Sequence, residues 1–123
     1  MNDLLERYRS RYFDREGKEI DLMTYGYLME LGNNVKKDLI GDFLISTVWL
    51  GLDHAWYRFA DREKGLPPPV PLIFETMIFY EREPEDEEFN GYQERYCTNE
   101  EALLGHEKAC EEVRKYLAKK EKK

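Results

Sequence analysis

Four titratable side chains of this sequence are candidates for catalysis or metal binding: Asp53, His54, Glu75 and His106. Asp53 and His54 close the apolar run "STVWLGLDH", and Glu75 interrupts the apolar run "PLIFETMIFYE". His106 falls on the apolar stripe of a predicted helix. If these side chains met in one pocket, a histidine could act as a general base that a carboxylate orients. Two histidines and two carboxylates could also hold a divalent metal ion.

Each of these residues has a structural explanation as well. A histidine on a helix stripe is usually a core residue that hydrogen-bonds a carbonyl or a carboxylate. Glu75 could face solvent, and Asp53 could cap backbone amides where a strand ends. The sequence holds no established catalytic motif, and the spacing of His54, Glu75 and His106 matches no metal signature. We therefore predict no cofactor and no metal, and we favour a non-enzymatic protein while leaving the enzyme alternative open.

The composition predicts one domain, spanning residues 1–123, with a hydrophobic core. Hydrophobic residues make up 41% of the chain and aromatic residues 14%, which argues against disorder. No apolar run has the length of a membrane span, and the N-terminus has no signal core. The net charge of −7 disfavours direct binding to nucleic acid, because such binding needs a basic surface.

The two cysteines, Cys97 and Cys110, lack the CxxC spacing of a zinc or redox site. If Cys110 lies on a helix that begins just after Cys97, helical rise separates the two by roughly three turns. A disulfide between them is then not expected, and we predict a cytoplasmic protein in a reducing compartment.

Two segments outside the predicted core could carry a binding surface. The long loop Asp53–Pro71 contains Trp56, Tyr57 and Phe59, which could anchor the loop to the body or present an aromatic patch to a partner. The acidic run Glu81–Glu88 could imitate nucleic acid toward a basic protein, although such runs are more often solvated loops.

The N-terminal half predicts short elements with clear ends. "RYFDREGKEID" predicts two short strands around a glycine turn. "DLMTYGYLMELG" predicts a helix with Asp21 as its N-cap and Gly32 just past its C-terminus. A hairpin follows, in which the turn Gly41-Asp42 joins Val35–Ile40 to Phe43–Leu52.

The C-terminal half predicts a strand in "PLIFETMIFYE", a short returning strand in "YQERYCT" and a final helix opened by a capping box of Thr98 and Glu101. The predicted apolar stripe of that helix consists of Leu103, His106, Cys110, Val113 and Leu117. Together these elements predict an α+β fold: an antiparallel sheet of about four strands with the C-terminal amphipathic helix packed across one face. The N-terminal elements would cover part of the other face.

Three blocks of the chain, "STVWLGLDH", "VPLIFETMIF" and "RYCTNEEALLGHEKA", resemble a group of small uncharacterised proteins of bacteriophages and prophages. The resemblance covers roughly Asp42 to Val113. The chain differs from the group in a longer loop after His54 and in an enlarged acidic stretch before "YQERY". The resemblance implies a phage setting inside a bacterial host cell, and it implies no particular reaction.

These observations favour a small phage-derived protein that binds a host or phage protein, for example as an inhibitor of a host defence system. The aromatic residues of the long loop are the predicted binding residues. The alternative is a small enzyme, or a ligand- or metal-binding protein, that uses Asp53, His54, Glu75 and His106. Mimicry of nucleic acid by the acidic run is a third hypothesis. The oligomeric state is left open.

Overall fold

The computed structural model describes residues 11–53, 64–65, 71–80, 89 and 91–121. These residues form two antiparallel sheets and two helices. Among them no helix combines the length and the apolar character that a membrane span needs. In chain order the elements are β1 (Arg11–Phe13), β2 (Glu19–Ile20), α1 (Leu22–Leu31), β3 (Asn34–Ile40), β4 (Phe43–Trp49), β5 (Leu52–Asp53), β6 (Phe74–Tyr80), β7 (Gln93–Tyr96) and α2 (Asn99–Glu121).

The larger sheet has the strand order β3-β4-β6-β7, and each neighbouring pair is antiparallel. The β3–β4 hairpin turns at Gly41, whose φ of 61° suits a residue without a Cβ atom. Helix α2 packs across one face of this sheet and contacts all four strands. The predicted α+β fold, a four-stranded antiparallel sheet under a C-terminal helix, is therefore confirmed.

Helix α2 buries a narrow stripe against alternate positions of the central strands. Ile45 of β4 and its cross-strand partner Ile78 of β6 meet Val113 of the helix, and burying such an aliphatic side chain contributes about 1.5–3 kcal/mol. The predicted stripe is wrong at one position. Leu103 is 39% exposed, and the small, fully buried Ala102 takes the inward place, which lets the helix backbone approach the sheet closely.

Only one half of the predicted capping box of α2 is formed. The Glu101 amide donates to Thr98 Oγ1 at 3.1 Å, and the Thr98 hydroxyl lies 3.2 Å from Glu101 Oε1. Cys97, just before the cap, and Cys110 are not joined in a disulfide. Thr98 therefore caps the Glu101 amide at the start of α2, whereas the Glu101 carboxylate bonds the Thr98 hydroxyl and not the Thr98 backbone amide.

Strand β4 is shorter than predicted, because the chain turns sharply after Trp49. Gly51 has a φ of 67°, and a Cβ atom there would lie 2.4 Å from the Trp49 ring. The Gly51 amide donates to the carbonyl of Ile73 at 3.3 Å. Leu52 then pairs with Tyr12 in a small second sheet of order β2-β1-β5. One apolar run therefore supplies strands to two sheets.

Helix α1 begins and ends where the sequence predicts. The Asp21 carboxylate accepts a hydrogen bond from the Thr24 amide at 2.8 Å, and this bond holds the pKa of Asp21 below its ordinary value. Gly32 follows the helix with a φ of 113°, and its amide donates to the carbonyl of Met29 at 3.1 Å. The helix is closed at both ends by residues that favour those conformations.

The N-terminal elements pack against the end of the larger sheet that carries Trp49. The Tyr25 ring of α1 lies 5.8 Å from the Trp49 ring, centroid to centroid, and its hydroxyl donates to the carbonyl of Leu50. Trp49 shares the face of Ile45, which is the face under α2, because side chains alternate along a strand. Through these contacts, α1 extends the hydrophobic core that lies beneath α2. The prediction that the N-terminal elements cover the opposite face is therefore wrong.

Candidate functional site

His106 is one of the titratable residues that are fully buried in the described part of the chain. It is fully buried at the middle of α2, between the helix and the sheet. Its ring Nδ1 is 2.7 Å from Thr47 Oγ1 of β4. Its Nε2 is 2.7 Å from Asp38 Oδ2 of β3, so the carboxylate accepts a hydrogen bond from the ring. Both ring nitrogens are therefore satisfied by side chains of the sheet.

The hydrogen bonds continue through the core beyond the imidazole. Thr47 and Thr76 are cross-strand partners on β4 and β6, and their hydroxyl oxygens are 2.5 Å apart. Thr76 also hydrogen-bonds the hydroxyl of Tyr96, whose pKa is raised chiefly by burial. We call the connected side chains Asp38, His106, Thr47, Thr76 and Tyr96 the polar network. It joins all four strands to the helix, and each buried hydroxyl within it has a partner.

The polar network depends on a close approach between β7 and α2. Tyr96 lies directly over Gly105 of the helix. A Cβ atom at Gly105 would meet the Tyr96 hydroxyl oxygen at 2.1 Å and its ring carbons at 2.2 and 2.3 Å. Glycine is normally unfavourable inside a helix. At this position it provides the space that the tyrosine needs to reach Thr76.

Asp38 forms the solvent end of the network. The hydrogen bond from His106 holds the pKa of Asp38 below its ordinary value, and 38% of its side chain is exposed. The thiol of Cys110, one helical turn after His106, lies 3.7 Å from the same carboxylate oxygen. Burial, and next the nearby Asp38 charge, raise the pKa of Cys110 to about 11, so the thiol is protonated at neutral pH. These three side chains could together hold a metal ion.

An acid, a histidine and a hydroxyl in contact are also the components of a nucleophilic triad. Here, however, Thr47 is fully buried, and its hydroxyl is already engaged by both His106 and Thr76. A nucleophile must reach its substrate, and in this packing no substrate can reach Thr47. The arrangement corresponds to the structural explanation of His106, a core histidine that hydrogen-bonds a carboxylate.

Glu75 lies on the opposite face of the sheet from His106, because its neighbour Thr76 points toward α2. It is only 7% exposed and accepts a hydrogen bond from Arg95 Nε at 2.9 Å and another from Gln93. Glu75 and His106 therefore do not share a pocket, and the condition for a site that uses both residues is not met. The expectation that Glu75 faces solvent is wrong, since Arg95 and Gln93 cover it.

The other predicted site residues are only partly described. Asp53 ends β5, where its backbone pairs with Arg11 in the small sheet. His54 and the three aromatic residues of the long loop, Trp56, Tyr57 and Phe59, lie outside the described residues, as does the acidic run of residues 81–88. Their proposed roles remain predictions.

Most of the polar network was not predicted from the sequence. Thr47 and Thr76 look like ordinary polar positions within β-strands, and Asp38 looks like an exposed residue of an edge strand. One usable signal was the four-residue spacing of His106 and Cys110, which places both side chains on the same helix face. The strand that lies beneath that face could not be inferred from this spacing.

A second feature of interest is the apolar outer surface of α1. Four of its side chains are 61–83% exposed. They are Leu22, Met23, Tyr27 and Leu31. Two exposed acids belong to the same segment, Asp21 at the N-cap and Glu30 within the helix.

Comparisons of the chain with protein-family models, with curated proteins and with solved structures found no match in any of the three.

Proposed function

We propose that this protein acts by binding another protein, and that the outer surface of α1 is the contact surface. One observation carries the proposal: α1 has no buried residue, and four of its apolar side chains are exposed, of which Met23 is the most exposed at 83%. Contiguous exposed apolar side chains on a small domain commonly mark an interaction site.

The two sides of α1 differ in their contacts: one packs against the protein's core and the other is exposed. At 100° per residue, Tyr25, Leu28 and Met29 fall on one side, and all three pack against the cluster around Trp49. Met23, Tyr27 and Leu31 fall on the other side, together with Gly26, which has open space around it. Leu22 lies at the boundary, next to Met29. A helix that is apolar on both sides has one side for its own core and a second side available for a partner.

The partner that fits is a protein with an apolar groove and a basic rim. A short amphipathic helix binds such a groove through side chains one turn apart, as Met23, Tyr27 and Leu31 are. At 100° per residue Glu30 falls on the same exposed side as Met23, and the chain carries a net charge of −7, so a basic rim around the groove would be complementary. The resemblance to phage proteins makes a host or phage protein the expected partner, and a host defence protein is one such candidate.

The experiment places a photoreactive amino acid at Tyr27 and, as a matched control, at the exposed Lys115 of α2. We expect one discrete crosslinked partner from Tyr27 in bacterial cells and none from Lys115. Binding of that partner, once purified, should weaken about tenfold or more on Met23→Ser. The stability of the free protein should change by no more than about 0.5 kcal/mol, because Met23 is an exposed residue.

Three results would contradict the proposal. The Tyr27 probe could crosslink only to a second copy of this chain, which light scattering would show as a dimer. The same adduct could arise equally from Lys115. Binding of the purified partner could also be unaffected by Met23→Ser, and its contact surface would then lie elsewhere.

A further inference from the structure

We propose that Asp38, His106 and Cys110 form a binding site for a divalent transition-metal ion of the zinc class. Each offers one ligand atom, Oδ2, Nε2 and Sγ respectively, and these atoms all lie within 4.8 Å of one another. The proposal concerns the end of the polar network and does not depend on the surface of α1.

The backbone already positions these three ligands. His106 and Cys110 are four residues apart on α2 and so project from the same face one turn apart. Asp38 approaches them from β3, which lies beneath the helix. Ligand atoms around tetrahedral zinc are about 3.5 Å apart, given metal–ligand bonds of about 2.0–2.3 Å. The Sγ–Oδ2 distance is 3.7 Å and the Nε2–Oδ2 distance is 2.7 Å, so a small rotation of the half-exposed Asp38 carboxylate would admit an ion.

An independent observation is the hydrogen bond that Thr47 makes with the other ring nitrogen of His106, Nδ1. Metal-binding histidines usually donate their second ring N–H to a fixed acceptor, which sets the tautomer and aims the other nitrogen at the metal. His106 Nδ1 is 2.7 Å from Thr47 Oγ1, and Thr47 is in turn held by Thr76. With Nδ1–H donated to Thr47, the lone pair of Nε2 points toward Asp38 and Cys110. The hydroxyl groups can reverse their hydrogen-bond direction to allow this tautomer.

The ligand set also selects the class of ion. Imidazole nitrogen, thiolate sulfur and one carboxylate oxygen suit Zn²⁺ or Co²⁺, whereas Mg²⁺ and Ca²⁺ prefer all-oxygen sites. On binding, the Cys110 thiol gives up its proton to solvent, and the resulting thiolate and the Asp38 carboxylate balance the two positive charges of the ion. Lys36, whose charge acts on Asp38, is already paired with Glu107, and the charge of Arg114 favours the thiolate of Cys110. The solvent-exposed side of Asp38 gives the ion a path of entry and leaves a fourth position for water.

The test is a Co²⁺ titration of the full chain after metal has been stripped with a chelator, followed by visible and near-ultraviolet absorption. Cobalt bound to a thiolate gives a charge-transfer band that cobalt in water lacks. We expect a band that saturates at one ion per chain. Cys110→Ser should abolish the band, whereas Cys97→Ser, the matched control at the other cysteine, should retain it. Thr47→Val should weaken Co²⁺ binding by about 10- to 100-fold through loss of the support behind His106.

Urea denaturation of each metal-free variant shows whether it is folded. Asp38→Asn changes the partly exposed ligand, so of the ligand variants it is the one expected to lose least stability. Asp38→Asn should weaken Co²⁺ binding and keep the thiolate band at saturation. The proposal is overturned if the wild-type chain gives no thiolate band, if the band survives Cys110→Ser, or if it is lost in Cys97→Ser. Each of these results would leave the proposed role of α1 untouched.

Discussion

Replacing Gly105 by alanine should destabilise the protein, although the same change inside a helix is normally favourable. Alanine gains about 0.5–1 kcal/mol over glycine at an unconstrained helix position. At Gly105 the new Cβ atom would lie 2.1–2.3 Å from the hydroxyl and ring atoms of Tyr96. The ring cannot swing aside cheaply, because it packs in the cluster around Trp49 and hydrogen-bonds Thr76.

The expected size of the effect follows from these contacts. Forcing extra volume into a packed core costs about 1–3 kcal/mol, and losing the Tyr96–Thr76 hydrogen bond costs about 1–3 kcal/mol when a buried hydroxyl loses its partner. After subtracting the helix-propensity gain, Gly105→Ala should lower the free energy of unfolding by about 1–5 kcal/mol. For a domain of this size, a loss of about 2 kcal/mol within that range corresponds to a fall in Tm of roughly 8 °C.

Urea denaturation followed by circular dichroism measures the effect, and the chain contains its own control. Gly26 lies inside α1, and a Cβ atom added there would have nothing within 4 Å, so Gly26→Ala should stabilise the protein by about 0.5–1 kcal/mol. In a Tyr96→Ala background the clash is removed, and Gly105→Ala should become stabilising by a similar amount. If Gly105→Ala alone proves as stable as the wild type, the close approach of Tyr96 to the helix does not exist as described.

Three further predictions concern single contacts. Thr47→Val removes the hydroxyl between the buried imidazole and its neighbouring threonine and should cost about 1–3 kcal/mol, whereas Thr47→Ser should cost less; equal urea midpoints for the two variants would contradict this. Because the folded-state pKa of Asp21 is lowered, its contribution to stability should be complete above the ordinary carboxyl pKa and be lost as pH falls through the lowered value. The Thr24 amide shift, followed by NMR, should titrate at that lower pH in the wild type and stay flat in Asp21→Asn. Arg95→Met should destabilise the protein by about 1–3 kcal/mol, because it leaves the buried Glu75 carboxylate underpaired, and adding Glu75→Met should recover part of the loss; a larger loss in the double variant would refute that explanation.

The two helices could be predicted from the sequence because capping residues mark where they begin or end. Asp21 and Gly32 bound α1 because one side chain caps free amides and the other residue tolerates a positive φ. Thr98 opens α2 for the first of these reasons. Such signals act within a few residues, so they can be read without knowing the tertiary structure.

The candidate site could not be predicted because it depends on which face of the sheet the helix covers. Alternation along a strand places Glu75 and Thr76 on opposite faces, but it does not say which face is buried under α2. The partners of His106 come from positions 59 and 68 residues away along the chain. The sequence signal at Asp38 and Thr47 is no different from that of any polar strand residue, and only their packing makes them partners.

The residues of the polar network come from stretches that lie far apart in the sequence: Thr47 from "STVWLGLDH", Thr76 from "VPLIFETMIF", and Tyr96 and His106 from "RYCTNEEALLGHEKA". Their joint effect is to hold α2 over the sheet, which is a role in packing and requires no reaction. Helix α1 contributes no residue to the network, and its exposed apolar side chains are not needed for that packing. Partner-binding assays should therefore be directed at α1 first, because substitutions on its outer surface can be tested without disturbing the packing beneath α2.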